Sequence, residues 1–169
     1  MSVVLAVSGN PRTGSRTHRV GLALAEALSG GDPVGELEVI TVADQLFSAP
    51  DQRSAEVKGA VTTLQTADLA VIATPVYKAS YTGLLKSFLD LYNAGDLAGV
   101  VAVPVVVSGS PAHAFVGEIH LRPLLTELGA TVATPAFTVT EAQLDTLDDL
   151  IAAWTGKHRA VIDRLLRRS

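Results

Sequence analysis

The stretch VSGNPRTGSRT, Val7 to Thr17, decides how this chain is read. It begins as the apolar run VVLAV (Val3 to Val7) ends, and it closes as a helix-period segment opens. A short β-branched run bounded by turn residues predicts a buried strand. The segment RVGLALAEAL then places Val20, Leu24 and Leu28 at helical spacing, and Gly30-Gly31 ends it. A strand, a polar loop and a helix start in that order make a natural anion site. The first amides of the helix lack partners, and the helix dipole is positive there. Arg12, Arg16 and Arg19 add cations, Ser15 and Thr17 add hydroxyls, and no Asp or Glu occurs among residues 1–25. Cations crowded at the positive end of a helix repel its dipole unless an anion lies between them. The loop is therefore read as a phosphate site. The plainer alternative is a polar turn with solvated arginines and a serine cap.

The phosphate is not expected to be that of a nucleoside triphosphate. Gly9 and Gly14 bracket four residues, but Ser15 and Arg16 follow where Lys and then Ser or Thr are needed. The third apolar run ends in Ala73-Thr74-Pro75, where a magnesium-binding Asp belongs. A dinucleotide loop of the G-x-G-x-x-G kind is also absent. A terminal monophosphate is the expected ligand group.

Outward from this loop, short apolar runs alternate with helix-period segments. Strands are predicted at Glu36 to Val42, at DLAVIATP with Pro75 stopping it, at VVAVPVVVSG, and at TVATPAFTV. Pro104 is a mild objection to a central place for the fourth strand. Helices are predicted at Ser54 to Gln65, Thr82 to Asn93 and Ala114 to Leu128, with residues 43 to 53 a loop carrying Phe47. Pro123 falls inside the fourth helix, so that helix is expected to break or bend around residues 118 to 123, a simple kink being a more common outcome than local widening. A last helix starts at a capping box, Thr140 with Gln143, with Glu141 favouring the positive helix end. Leu144, Leu147, Ile151 and Trp154 form its buried stripe, and Arg164, Arg167 and Arg168 suit its negative end. This alternation predicts an α/β fold. It is read as a single domain, 1–169, with a flavodoxin-like doubly wound five-stranded parallel sheet, order 2-1-3-4-5, and helices on both faces. Ligands of such sheets bind at the carboxyl ends of the strands, where the strand order reverses, so the loops after strands one, three and four should converge.

Composition narrows the function classes. The 169 residues are 48% hydrophobic and only 18% charged, which suggests surface buried in an oligomer. The net charge of −4 argues against non-specific nucleic-acid binding. No apolar run reaches the ~18 residues of a membrane span, and the N-terminus does not read as a signal peptide, so a cytoplasmic protein is expected. With no cysteine, thiol chemistry and thiolate metal sites are excluded. The four histidines, His18, His113, His120 and His158, show no metal-site spacing.

Two further loops belong to the expected site. In TPVYKASYTGLLKSFLD (Thr74 to Asp90), Pro75 and Gly83 shape a turn, Ser80 or Thr82 caps a helix, and Tyr77 offers an apolar face with a polar tip. An ordinary capped loop with a packed tyrosine is the competing reading. The helix that follows is apolar on most of its surface, which suggests burial against another subunit. In VSGSPAH (Val107 to His113), Gly109 lets a ligand approach the backbone and Ser110 can donate a hydrogen bond. His113 reads equally as a polar residue at a helix start.

Together, GNPRTGSRT, ATPVYKASYTGLLKSFLDL and GSPAH followed by LRPLLTELGA resemble the NAD(P)H-dependent FMN reductase family over nearly the whole chain. The resemblance is strongest to the flavin-reductase component of two-component alkanesulfonate monooxygenases. It implies that Asn10, Arg12, Ser15 and Thr17 hold the FMN phosphate, with Asn10 standing where the family usually has a serine. It implies that Pro75, Val76, Tyr77, Lys78, Ala79 and Ser80 line the isoalloxazine, and that Ser108, Gly109 and Ser110 edge it from the other side. Related reductases carry a tyrosine in a widened fourth helix, stacking across a tetramer interface; here Ile119 and His120 lie near that place. The resemblance further implies NADPH, or NADH, as hydride donor, a homodimer or homotetramer, and a flavin-dependent monooxygenase as partner. No catalytic side chain and no metal are required. An FMN-retaining quinone or azo reductase is one alternative. A non-enzymatic electron carrier is another, disfavoured because such carriers tend to be strongly acidic around the flavin.

Overall fold

The computed structural model describes residues 2–167. Strand β1 (Val4–Ser8) is buried along its whole length and runs between β2 (Val34–Glu38) and β3 (Leu69–Pro75). Outside β3 lie β4 (Val101–Ser108) and β5 (Phe137–Thr140). All pairs are parallel and the order is β2-β1-β3-β4-β5, the expected doubly wound sheet. The register aligns Ser8 with Ala73 and Ala73 with Val105, so the loops leaving β1, β3 and β4 emerge on one rim. Pro104 lies opposite Ile72, and pairing with β5 begins only at Val105. The proline therefore sits just below the start of the β5 pairing, which softens the objection it raises.

Side chains alternate between two cores. Leu5, Val7, Ala70 and Ile72 face Leu64 of α2 (Ala55–Gln65), Phe88 of α3 (Gly83–Leu89) and Leu125 of α4 (Arg122–Glu127). Val4, Ala6, Val71 and Val103 face Leu24 of α1 (Arg16–Ser29) and Ile151 and Ile162 of α5 (Leu147–Leu166). Buried on both faces, the central strands need the continuous apolar runs the sequence shows.

Several boundaries depart from the sequence expectation. The second strand ends at Glu38, and residues Val39–Gln45 form a 3₁₀ helix. Val39 and Val42, three apart, share one face of that tighter helix and are both buried. Helix α3 stops at Leu89, short of Asn93. Its Leu85, Phe88 and Leu89, with Tyr92 beyond it, fill this chain's own core, so its broad apolarity is explained without a second subunit. The last strand shrinks to Phe137–Thr140; upstream of it, Thr131 keeps a lone bridge to Val101. The capping pair Thr140–Gln143 is present, but it opens a 3₁₀ helix, Glu141–Thr146, before α5 begins. Arg164 and Arg167 lie at the end of α5 as expected, and Arg168 lies outside the described residues. Phe47 is exposed.

The fourth helix widens where Pro123 predicts trouble. Val116–Leu121 is a π-helical turn that runs into α4, so Pro123 falls in the first turn of a new helix, where its missing N–H costs nothing. The turn is pinned by ion pairing. Arg122 Nε donates to Glu118 Oε2 at 2.6 Å, and the same guanidinium donates to the carbonyls of Val132 and Thr134. Glu118 also accepts the Ala136 amide at 2.6 Å. The Arg122 hydrogen bond, aided by the Ala136 amide, holds the Glu118 carboxyl below the usual carboxylate range against the opposing effect of burial.

Because the folded pKa is depressed, the stabilisation is complete above the unfolded value of 4.5 and declines as pH falls through the folded value. Chemical denaturation of the protein and of Glu118→Gln is expected to show a stability gap that is constant near pH 7 and narrows below about pH 4.5. A gap that widens on acidification would contradict this assignment.

Candidate functional site

Three loops meet at the strand-end rim. In the first, Gly9 is pressed against α3: a Cβ there would stand 2.6 Å from Leu85 Cβ, so only glycine fits. Asn10 bonds within the loop itself. Its Oδ1 accepts the Arg12 amide at 3.0 Å, and its Nδ2 donates to Thr17 Oγ1 at 3.0 Å. Gly14 has φ +61°, a conformation that lets the chain double back before α1. Ser15 caps α1 by accepting the His18 amide at 3.1 Å. The amides of Arg16 and Thr17 then have no acceptor among the described residues. These open donors, beside the exposed Arg12, form the electropositive floor of the site.

The second loop is a two-residue hairpin. Tyr77 and Ser80 exchange both backbone hydrogen bonds, at 2.9 and 3.1 Å, around Lys78 (φ 50°) and Ala79 (φ 60°). Neither is glycine, so the turn carries strain of the kind that collects at binding sites. Support comes from behind. Thr82 Oγ1 donates to the Gly9 carbonyl at 2.6 Å and accepts the Leu85 amide at 3.1 Å, locking the second loop to the first. Ser80 Oγ meets His120 Nδ1 at 3.0 Å, so the π-helical turn braces the hairpin. His120 also stacks edge-on with Tyr81 and Phe115.

In the third loop, Ser108 is buried and donates to the Ser110 carbonyl at 2.8 Å. Ser110 caps the short turn at Pro111–His113 by accepting the Ala112 amide. Gly109 is exposed, and its amide has no acceptor among the described residues.

A cavity of about 290 Å³ joins the first two loops. Asn10, Arg12, Ser15 and Thr17 line it with Pro75 and Tyr77, which is nearly half exposed. Val76 joins this rim by donating its amide to the Val107 carbonyl. Lys78, Ala79 and Ser80 stand just outside the cavity wall, and Ser108 lines a neighbouring one of about 160 Å³. Arg19 does not reach the cavity; it lines a groove between α1 and the start of α5 with Asp145 and Asp148.

Two carboxylates that sequence patterns do not connect to this loop also meet it. Glu38, at the end of β2, accepts the Gly14 amide at 2.8 Å. Glu141 pairs with Arg16 at 3.0 Å and lines the cavity. They arrive from the ends of the two edge strands, β2 and β5, which no local pattern foretells.

Known proteins share this architecture. Residues 2–144 match the family model described as NADPH-dependent FMN reductase. The NADH-dependent FMN reductase SfnF of Pseudomonas putida is 37% identical, over 72% of this chain and 68% of that protein. The FMN reductase (NADPH) of Escherichia coli K12 is 35% identical, over 75% of this chain and 67% of its own. The crystal structure of an NADH:FMN oxidoreductase (EMOB) in its apo form superposes with a TM-score of 0.81 at 29% identity, covering 99% of this chain and 90% of that one.

The buried Thr82 joint is the part of the site most sensitive to a single atom. Thr82→Val leaves the Gly9 carbonyl and the Leu85 amide unpaired and should cost about 2–3 kcal/mol in urea denaturation. Thr82→Ser, which keeps the hydroxyl, should retain most of that stability.

Proposed function

Since this chain belongs to the NADPH-dependent FMN reductase family, we propose that it oxidises NAD(P)H and passes the hydride to FMN, supplying reduced flavin to a partner such as a flavin-dependent monooxygenase. The observation that carries the phosphate site is the pair of open amides, Arg16 and Thr17, beside an arginine that faces no carboxylate within the described residues. A phosphate monoester answers that donor set. FMN, when bound, supplies the hydride-accepting chemistry.

The protein's own contribution is placement. Arg12, Ser15 and Thr17 hold the phosphate. Asn10 acts indirectly, by shaping the turn through its bonds to Arg12 and Thr17. The hairpin from Pro75 to Ser80 offers a strained, rigid wall and the exposed ring of Tyr77 for the flavin and nicotinamide to lie against. Ser108, Gly109 and Ser110 bound the other side, where the open Gly109 amide can meet negative charge that develops on reduction. We read residues 1–169 as one flavin-binding unit, supported by a single sheet whose two faces are covered by the chain's own helices. A cytoplasmic homodimer or homotetramer is part of the same reading. In its favour, Tyr77, Phe115 and Ile119 are exposed near the site, a surface that suits a second copy. No helix among the described residues is long and apolar enough to cross a membrane.

Fluorescence titration tests the phosphate contacts. Arg12→Ala should weaken FMN binding about 10- to 100-fold, the worth of a charge-assisted hydrogen bond, and leave riboflavin binding and apo-protein melting nearly unchanged. NAD(P)H oxidation should depend on added FMN and saturate with it. Wild-type protein that takes up no FMN in either redox state would end this reading. FMN retained through desalting, with turnover only on a quinone, would move it to a self-contained reductase.

A further inference from the structure

The phosphate loop is not vacant of negative charge: the chain supplies its own. Glu141 Oε1 lies 3.0 Å from Arg16 Nη2, and both side chains are about half exposed, at 49% and 56%. The two residues line the same cavity as Arg12, Ser15 and Thr17, so the pair stands inside the site and not on a remote surface. Glu141 is delivered there by the turn after β5, where the Thr140–Gln143 hydrogen bond fixes the start of the 3₁₀ helix. From the opposite side Glu38 occupies the Gly14 amide at 2.8 Å. Of the loop's donors, these carboxylates hold one guanidinium and one amide, and they leave free Arg12 and the amides of Arg16 and Thr17.

We propose that Glu141 is an internal competitor for the flavin phosphate, pairing with Arg16 in the free protein and lowering FMN affinity so that the flavin exchanges. The inference rests on the reading that FMN docks here by its phosphate. A half-exposed ion pair is weakly held, so an incoming phosphate can take Arg16. The displaced carboxylate is still tethered near a group that carries up to two negative charges, and like charges at short range disfavour the complex. The outcome is a site selective for a phosphorylated flavin yet not retentive, as a supplier of reduced FMN requires. Glu38 does not share this role, because it accepts a backbone amide that holds the turn in shape and lies 3.9 Å from His18 Nδ1, away from the arginines.

The test compares FMN with riboflavin, which lacks the phosphate, for wild type, Glu141→Gln, Glu141→Ala and Arg16→Ala, with the Arg16→Ala/Glu141→Gln double variant. Circular dichroism melting confirms that each is folded, and Glu141→Ala stands in should the Gln variant not fold. Removing the carboxylate should tighten FMN about three- to tenfold at low salt, with riboflavin affinity unmoved. The gain should shrink in the Arg16→Ala background and at high salt. FMN affinity that is unchanged or weaker without Glu141 would overturn the competitor role, as would equal tightening of riboflavin. Wild-type protein that binds no FMN fails the parent reading instead, so the two failures are distinct.

Discussion

One buried hydroxyl holds the site together. Thr82 donates to the carbonyl of Gly9 and accepts the amide of Leu85, so the loop after β1 and the loop after β3 cannot move independently. The close packing of Gly9 on Leu85 enforces the same spacing. Everything proposed for the flavin depends on this joint. The first loop supplies charge, the second supplies a rigid wall, and a ligand that touches both needs their separation fixed before it arrives.

Electrostatics at the rim works in the opposite sense to packing. The core is apolar and fully committed, whereas the loop after β1 carries opposed charges. In the proposed reading, open amides and arginines attract an anion, and carboxylates from beyond the two edge strands temper that attraction. A site built only from donors would bind phosphate as tightly as geometry permits. One with internal carboxylates sets affinity by a difference of opposing terms, which is easier to tune for exchange.

The π-helical turn has a structural cause and a positional effect. Arg122 and Glu118 tie it to the segment before β5, and Pro123 closes it by refusing to continue the hydrogen-bond ladder. The wider turn brings His120 to Ser80, so it steadies the strained hairpin beside it. Local widening thus serves the rim and not merely the helix.

How much of this was legible in the chain follows from the range of each interaction. Apolar periodicity and turn residues are local, so the sequence by itself determined the alternation of strands and helices, the parallel order, the place of Arg12 and Ser15 on the loop between β1 and α1, and the irregularity near Pro123. It misjudged Val39 to Val42, where three-residue spacing was masked by β-branched composition, and it sent the apolar face of α3 toward a second subunit. Only the tertiary structure decided that this face fills the chain's own core, that Asn10 bonds within its own loop, that Arg19 points to another groove, and that Glu38 and Glu141 meet the loop after β1. The reason is that these contacts join residues whose neighbourhood is set by the strand order. No pattern within one segment carries the position of another strand's end.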